Sequence, residues 1–279
     1  MVRLAIICPV FGQTHLTAGL MSDVERERDL LDVLIVDNGG DYVPQGWEHV
    51  LRPGRNLRWL RGSNLGLRAA QASGRYDGYV LLNNDTRLSP GFFRELVTAW
   101  RSLPRAGVLA PLYDDCYPQQ RSAYVGPAGR YQPIRAHRTA NFVDGTCMLL
   151  PDASLRRLGF LDEQTFGGSG WGADVDYCLR ARRAGLGVYV TERAYLNHLR
   201  EQTVKAVTDD YAGYKDQAHR EMETNMAAKW GPAWRAVVGA PERFERQADL
   251  SVRALATLHT AARRLGAWDR QVTAFLRGR

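Results

Sequence analysis

Short apolar runs alternate with amphipathic stretches through the first two thirds of the chain. Runs of strand length, rich in Val, Ile and Leu, fall at Val2–Cys8, Asp32–Asp37, Leu57–Leu60, Gly78–Leu82 and Val108–Pro111. Between them, Leu16–Asp29, Leu65–Ser73 and Pro90–Ser102 carry apolar residues at helical spacing. Such alternation predicts an α/β fold with a mostly parallel sheet flanked by helices, Rossmann-like in outline. A dehydrogenase-type dinucleotide site is not indicated, because "CPVFGQTHLTAG" after the first strand holds no GxGxxG. Tyr113–Thr139 follows neither period and is rich in Tyr, Pro, Gly and Arg, which reads as a long binding loop. After His198 the pattern turns helical, over 211–231 and again over 243–268.

The run "YVLLNNDTRLSPGFF" places Asn83, Asn84 and Asp85 at the carboxyl end of a predicted strand, ahead of Ser89 as N-cap and Pro90 as first helical residue. Asn and Asp make good turns. That edge of an open α/β sheet is also where ligands bind, and a carboxylate there can hold a hard cation against a phosphate.

A second informative stretch runs from Phe142 to Arg200. It predicts a strand at Phe142–Leu150, a short helix ending at Gly159, a glycine-rich loop around Trp171, and a helix with Asp174 and Asp176 in its first turn and Gly185 just past its end. Two acids there match the helix dipole. A glycine loop carrying an aromatic and leading into carboxylates also suits a site where a sugar ring stacks while an acid takes a proton. His198, near the end of a later strand, could complete a metal site with Asp85.

Charge narrows the partners. The net charge is +7, and six arginines between Glu48 and Asp77 stand without a single acid. Residues 121–138 add four arginines and His137, and the last 39 residues carry eight arginines against four acids. Phosphates, acidic glycans, anionic lipid surfaces and nucleic acid all suit such faces, although charge runs are commonly just solvated surface. The four cysteines, Cys8, Cys116, Cys147 and Cys178, lie far apart with no CxxC pair, indicating neither a zinc site nor a disulfide framework. "MVRLAIICPVFG" is too short an apolar run for a signal-peptide core or a membrane span and reads as the first strand. A reducing cytoplasm is the expected location, with at most peripheral contact at the inner face of a membrane.

Seven segments, in order, carry a resemblance. They are "IVDNGG", "GSNLGLRAAQASG", "LLNNDT", "DGTCMLLP", "GFLDEQTFGGSGWGADVDYCLRARRAG", the position of His198, and "KWG" at Lys229–Gly231. Together they resemble the inverting GT-A glycosyltransferases of family 2, in particular the bacterial rhamnosyl- and galactosyltransferase-like branch, from Val2 to about Gly231. The resemblance implies a GT-A catalytic domain over residues 1–200 and a helical C-terminal region over 201–279 that packs on it or extends it. It implies a nucleotide-diphosphate sugar donor, UDP- or dTDP-linked, a divalent cation, Mn²⁺ or Mg²⁺, and an acceptor hydroxyl on a glycan, lipid-linked or small molecule.

Residue by residue, the resemblance makes Asp85 and His198 the metal ligands and Asp174 the general base. Pro9, Asp37, Asn64, Gly66, Asn84 and Asp85 line the donor, with Asp37 at its base or ribose and with Asn64 and Gly66 at a helix start near the diphosphate. Trp171 and Asp144 border the acceptor, and Asp176 and Arg180 support the helix that carries the base. Two positions depart from the family pattern: Asn83 stands where a first acid is usual, and Ala173 precedes Asp174 in place of another acid. The first weakens a cation's ligand set; the second leaves Asp174 as the strong base at that spot, with Asp144 and Asp115 in reserve. Two other readings remain open here, a glycosyltransferase acting on modified nucleic acid and a non-catalytic module that binds sugar nucleotides or polyanions.

Overall fold

The computed structural model describes residues 2–114, 120–199 and 208–239. Among these, nine strands form one sheet in the order β3-β2-β1-β4-β8-β6-β9-β5, with β7 also paired to β9. The strands are β1 (Leu4–Val10), β2 (Leu31–Asp37), β3 (His49–Leu51), β4 (Gly78–Leu82), β5 (Thr86–Leu88), β6 (Ala106–Tyr113), β7 (His137–Thr139), β8 (Cys147–Pro151) and β9 (Gly187–His198). β3, β2, β1 and β4 run parallel, as do β6 and β9, while β8 lies antiparallel between β4 and β6.

Both faces of the sheet are covered, and β1 shows how. Its Leu4, Ile6, Cys8 and Val10 pack with α1 (Thr14–Val24) and α3 (Phe92–Ser102), through Leu20, Met21, Phe92, Phe93 and Leu96. Its Ala5 and Ile7 lie on the other face, where α2 (Arg58–Ala72) covers β1 and α6 (Ala173–Arg183) covers β6 and β9, in one cluster that includes Leu67, Tyr177 and Leu179. Strands buried on both faces read as continuous apolar runs, the signal seen in the sequence. α4 (Asp152–Leu158), α5 (Glu163–Phe166), α7 (Tyr211–Trp230) and α8 (Trp234–Gly239) complete the helices among the described residues.

Three expectations are corrected. Leu57–Leu60 is no strand: α2 begins at Arg58, because three apolar residues in a run of four cannot by themselves distinguish a strand from the first turn of a helix. α3 begins at Phe92 rather than Pro90, behind Gly91 at φ 67, and its first amides are capped by Glu27, which accepts from Phe93 N at 3.2 Å and Arg94 N at 2.9 Å. Ser89 instead accepts from Tyr195 N at 3.1 Å. The strand expected over Phe142–Leu150 starts only at Cys147, which leaves Asp144 in a loop. The second helical stretch, 243–268, lies outside the described residues, as does Asp115.

The topology brings chemistry to one edge. β1, β2, β4, β6 and β9 all end there and antiparallel β8 begins there, so the residues after or before those ends converge: Asp37, Asn83–Asp85, Asp114, Asp144–Thr146 and His198. β9 reaches that edge through a bulge. Its pairing with β6 jumps from Thr191 to Tyr195 while β6 advances by one residue, and its end then pairs with β5, His198 opposite Thr86.

Candidate active site

The turn after β4 is fastened on every side. Asn83 N donates to Thr146 O at 2.9 Å, Thr86 Oγ1 to Asn83 O at 2.9 Å, Asn84 Nδ2 to Thr17 Oγ1 at 3.0 Å, and Leu199 N to Asp85 O at 2.8 Å. That framework sets Asp85 Oδ1 3.4 Å from His198 Nε2. The two side chains expected to share a metal are therefore neighbours, 7% and 11% exposed. Their spacing exceeds that of a charge-assisted hydrogen bond; the carboxylate suits Mn²⁺ or Mg²⁺, while an imidazole ligand is more at home on later first-row metals. Among the described residues no group of three His, Cys, Asp or Glu could hold a metal ion, so this pair could supply only part of a coordination shell. Asn84 is spent on Thr17 and braces the turn.

Asp174 sits in the first turn of α6 and reaches the loop before β8. Its Oδ2 accepts from Gly145 N at 3.0 Å and its Oδ1 from Val175 N at 2.8 Å. Burial, and secondarily the charge of Asp144, pushes its carboxyl up to about 7. Asp144 is itself held, its backbone N donating to Gln120 Oε1 at 2.6 Å and its carboxylate accepting from both Thr146 N, at 2.8 Å, and Thr146 Oγ1. Gln120 Nε2 is buried with no partner.

Asp176, one step round the same turn, has a different fate. Fully buried, it accepts from Arg180 Nε at 2.9 Å, Lys229 Nζ at 2.7 Å and Trp230 Nε1 at 3.0 Å. Lys229 also bridges to Asp162 at 2.6 Å and holds that carboxyl below the usual range. Arg180 carries on to Leu158 O and Phe160 O at 2.7 and 3.0 Å. The supporting role expected of Asp176 and Arg180 matches these contacts, and "KWG" is the segment that ties α7 to α6.

The glycine loop between α5 and α6 runs between α2 and α7. Arg58 Nη1 donates to Gly168 O at 3.0 Å, Glu221 accepts from Ser169 N at 2.9 Å, and the Trp171 ring stands edge-on to His219 with centroids 4.8 Å apart. Trp171 is half-buried, as a wall for a bound ring would be.

Other expected residues lie differently. Asn64 and Gly66 are in the middle of α2, not at a helix start, so their amide N–H groups belong to the helix ladder. Asn64 clasps Leu161 and Glu163, and Gly66 lets α2 close on β1, since a Cβ there would lie 2.5 Å from Ile7. Pro9 is half-buried against Gly62 of α2. Asp37 ends β2, but its buried carboxylate is taken up by Gly40 N, Tyr42 N and Arg52 at 2.7, 3.3 and 3.2 Å.

Three contributors went unnoticed in the sequence. Thr146 stands in "DGT", a segment quoted for its resemblance alone. Asp114 accepts from His198 N at 2.9 Å and Asn197 Nδ2 at 2.8 Å. Trp59 lies so close to Gly145 that a Cβ there would be 2.6 Å from its ring. Only the tertiary structure joins them to the site.

No family model matches the chain. It is 43% identical over 203 residues to the uncharacterized protein Rv1525 of Mycobacterium tuberculosis, covering 73% of this chain and 76% of that protein, and equally to Mb1552 of Mycobacterium bovis. It is 22% identical over 220 residues to the low-salt glycan biosynthesis hexosyltransferase Agl10 of Haloferax volcanii, covering 72% of this chain and 69% of Agl10. Among solved structures it resembles GalNAc-T7 crystallised with UDP, GalNAc and Mn²⁺, with a TM-score of 0.56, 12% identity, and coverage of 88% of this chain and 55% of that one. The chain thus spans about half the length of GalNAc-T7 as solved. S. aureus TarS 1-349 gives a TM-score of 0.51 at 12% identity, over 81% of this chain and 72% of that one. These likenesses assign the fold, a mixed α/β GT-A architecture.

Proposed function

The chain belongs to the family of the mycobacterial protein Rv1525, and we propose that it is a glycosyltransferase moving one sugar, hexose or deoxyhexose, from a nucleotide-diphosphate donor to an acceptor hydroxyl with inversion at the anomeric carbon. One observation carries the proposal. At one sheet edge of a GT-A fold stand a carboxylate pushed up to about 7, Asp174, held to the loop before β8, and a carboxylate–imidazole pair, Asp85 and His198.

Asp85 and His198 would hold a divalent cation, which when bound neutralises charge building on the departing nucleotide diphosphate. Asp174 takes the proton of the acceptor hydroxyl. A base of pKa near neutrality is both ionised and basic enough at working pH, and Gly145 N–H and Val175 N–H hold its orientation while each oxygen keeps a free lone pair. A single displacement needs that base opposite the leaving group. Trp171 offers a ring face to the acceptor and Asp144 borders it.

The donor is proposed to be UDP- or dTDP-linked, and the acceptor a glycan, lipid-linked or small molecule. Residues 1–200 are proposed as the nucleotide-sugar-binding and catalytic domain and 201–279 as a helical region packed on or extending it; the contacts of α7 with α5 and α6 support this arrangement. The Pro241–Arg279 segment lies outside the described residues. Among the described residues no helix is long and apolar enough to cross a membrane. A cytoplasmic site of action is proposed with the activity, in keeping with the free buried thiols of Cys8, Cys147 and Cys178.

The test is a panel of nucleotide sugars assayed for released nucleoside diphosphate, with Mn²⁺ or Mg²⁺ and with chelator. Release from one donor, abolished by chelator and by Asp85→Ala, is expected. A protein that binds donors without turning any over would be a binding module instead.

A further inference from the structure

Two residues at the start of α2 fasten separate pieces of the site. Arg58 opens the helix at φ 59, in the left-handed region that a long side chain seldom adopts, and its Nη1 donates to Gly168 O at 3.0 Å. Trp59 follows, half-buried, with its ring against two glycines. A Cβ on Gly145 would lie 2.6, 2.8 and 3.4 Å from Cζ2, Cη2 and Cε2 of that ring, which are its three nearest neighbours. Across the six-membered ring from Cζ2, Cε3 would stand 3.9 Å from a Cβ on Gly170. Gly170 immediately precedes Trp171, and Gly145 N donates to Asp174 Oδ2 at 3.0 Å.

The indole N–H of Trp59 is buried and meets no acceptor. A buried indole N–H usually finds a partner, so this ring holds its place by shape and area, not by a hydrogen bond. The Arg58 backbone points the same way, because sparsely populated φ values persist where the surroundings over-determine them, and they cluster at functional sites. We propose, on the reading of Asp174 as general base, that Trp59 is a positioning residue: a wedge that sets the loop bearing Trp171 and the amide orienting Asp174 at one fixed spacing. Pressed on Gly145, the ring keeps that N–H on the carboxylate. Leaning on Gly170, it ties the acceptor wall to the same point, so a displacement of either loop is passed to the base through one rigid group. Position 145 takes glycine because the ring occupies the volume a side chain would need.

The test is a double-mutant cycle on the full chain between Trp59→Leu and Gly145→Ala, read by the titration of the Asp174 carboxyl in ¹³C-labelled protein. Neither substitution removes Asp144, the charge acting on Asp174. Gly145→Ala should push its amide off the carboxylate, and losing a hydrogen bond to the ionised form should raise the midpoint by about one pH unit. In the Trp59→Leu background the added methyl has room, so the same change should move the midpoint little. A merely structural contact would lower stability and leave the midpoint alone. A midpoint that stays or falls in Gly145→Ala, or an equal rise in both backgrounds, overturns the proposal. Should Gly145→Ala fail to fold, Trp59→Leu decides by hydrogen exchange: Gly145 N–H should exchange about 10- to 100-fold faster with the β4 amides unchanged. Parental exchange there, or a rise shared by β4, overturns the proposal. If the wild type turns over no nucleotide sugar, the glycosyltransferase reading falls, while the titration still decides whether Trp59 holds the Gly145 amide on Asp174.

Discussion

Asp174 and Asp176 occupy one helical turn, two residues apart, and have opposite environments. Asp174 faces the Asp144–Thr146 loop, where it accepts from the backbone amides of Gly145 and Val175 and the charge acting on it is another carboxylate, Asp144. Asp176 faces α7 and is surrounded by Arg180, Lys229 and the Trp230 indole. Surroundings alone divide the labour: uncompensated burial makes a base, and compensated burial makes a clamp. The clamp also holds the helix start from which the base projects, so the two roles are mechanically joined though chemically distinct.

The sharpest way to break this contrast is to neutralise each acid in turn. Asp174→Asn keeps shape and removes basicity, so transfer should fall by ~10²- to 10⁴-fold with nucleotide-sugar binding little changed. Stability should move the other way. The folded carboxyl lies at about 7 against an ordinary 3.8, so the native state holds its proton more tightly, and the group costs stability progressively as pH rises from about 4 to about 7. Above about pH 7 the variant should therefore melt higher than the parent, and below about pH 4 the two should coincide. Parental transfer rates in Asp174→Asn would move the base elsewhere, with Asp144 the next candidate.

Asp176→Asn should show the reverse profile. It leaves Arg180 and Lys229 facing a neutral amide in a buried site, which costs roughly 2 to 4 kcal/mol, because breaking one side of a buried pair strands the other charge. Lys229 is a quarter exposed, which keeps the figure at the lower end of what such changes cost. Denaturant unfolding measures it, and transfer per folded molecule should drop far less than in Asp174→Asn. An Asp176→Asn protein as stable as its parent would mean that α7 is not held through this clamp.

How much of this was legible beforehand follows the range of the interactions. β4 was read residue for residue, since five apolar residues ending in Asn-Asn-Asp need no distant partner to be recognised. The α4 terminus at Gly159 and the Gly185 stop of α6 were equally local, with φ of 76° and 70° where glycine is favoured. Misreadings came where a distant residue decides. Ser89-Pro90 has the grammar of a helix start, yet Glu27 supplies the cap from elsewhere in the chain. Asn64 and Gly66 match a phosphate-binding pattern, yet α2 starts earlier, at Arg58, next to Leu57, whose N donates to Asn38 Oδ1 at 3.1 Å. In the site, Asp85, His198 and Asp174 could be picked out by resemblance, whereas Thr146, Asp114 and Trp59 act only through contacts made by folding.

The smallest expected effect tests why Asp174 is basic. Its raised carboxyl has two causes, burial first and the Asp144 charge second. Asp144→Asn removes the second alone and leaves an amide oxygen to accept from Thr146. The carboxyl of Asp174 should then fall, yet stay above 3.8, because burial still disfavours its charged form. In the pH profile of kcat/KM, the acid limb expected for the wild type at about 7 should move to lower pH. Above that limb the rate should drop modestly, since a less basic carboxylate accepts a proton less readily. An unmoved limb would mean that burial accounts for the whole shift. A limb displaced upward would mean that Asp144 holds the charged form of Asp174 in place through the Gly145 amide, and the loop before β8 would then be the orienting device rather than the electrostatic one.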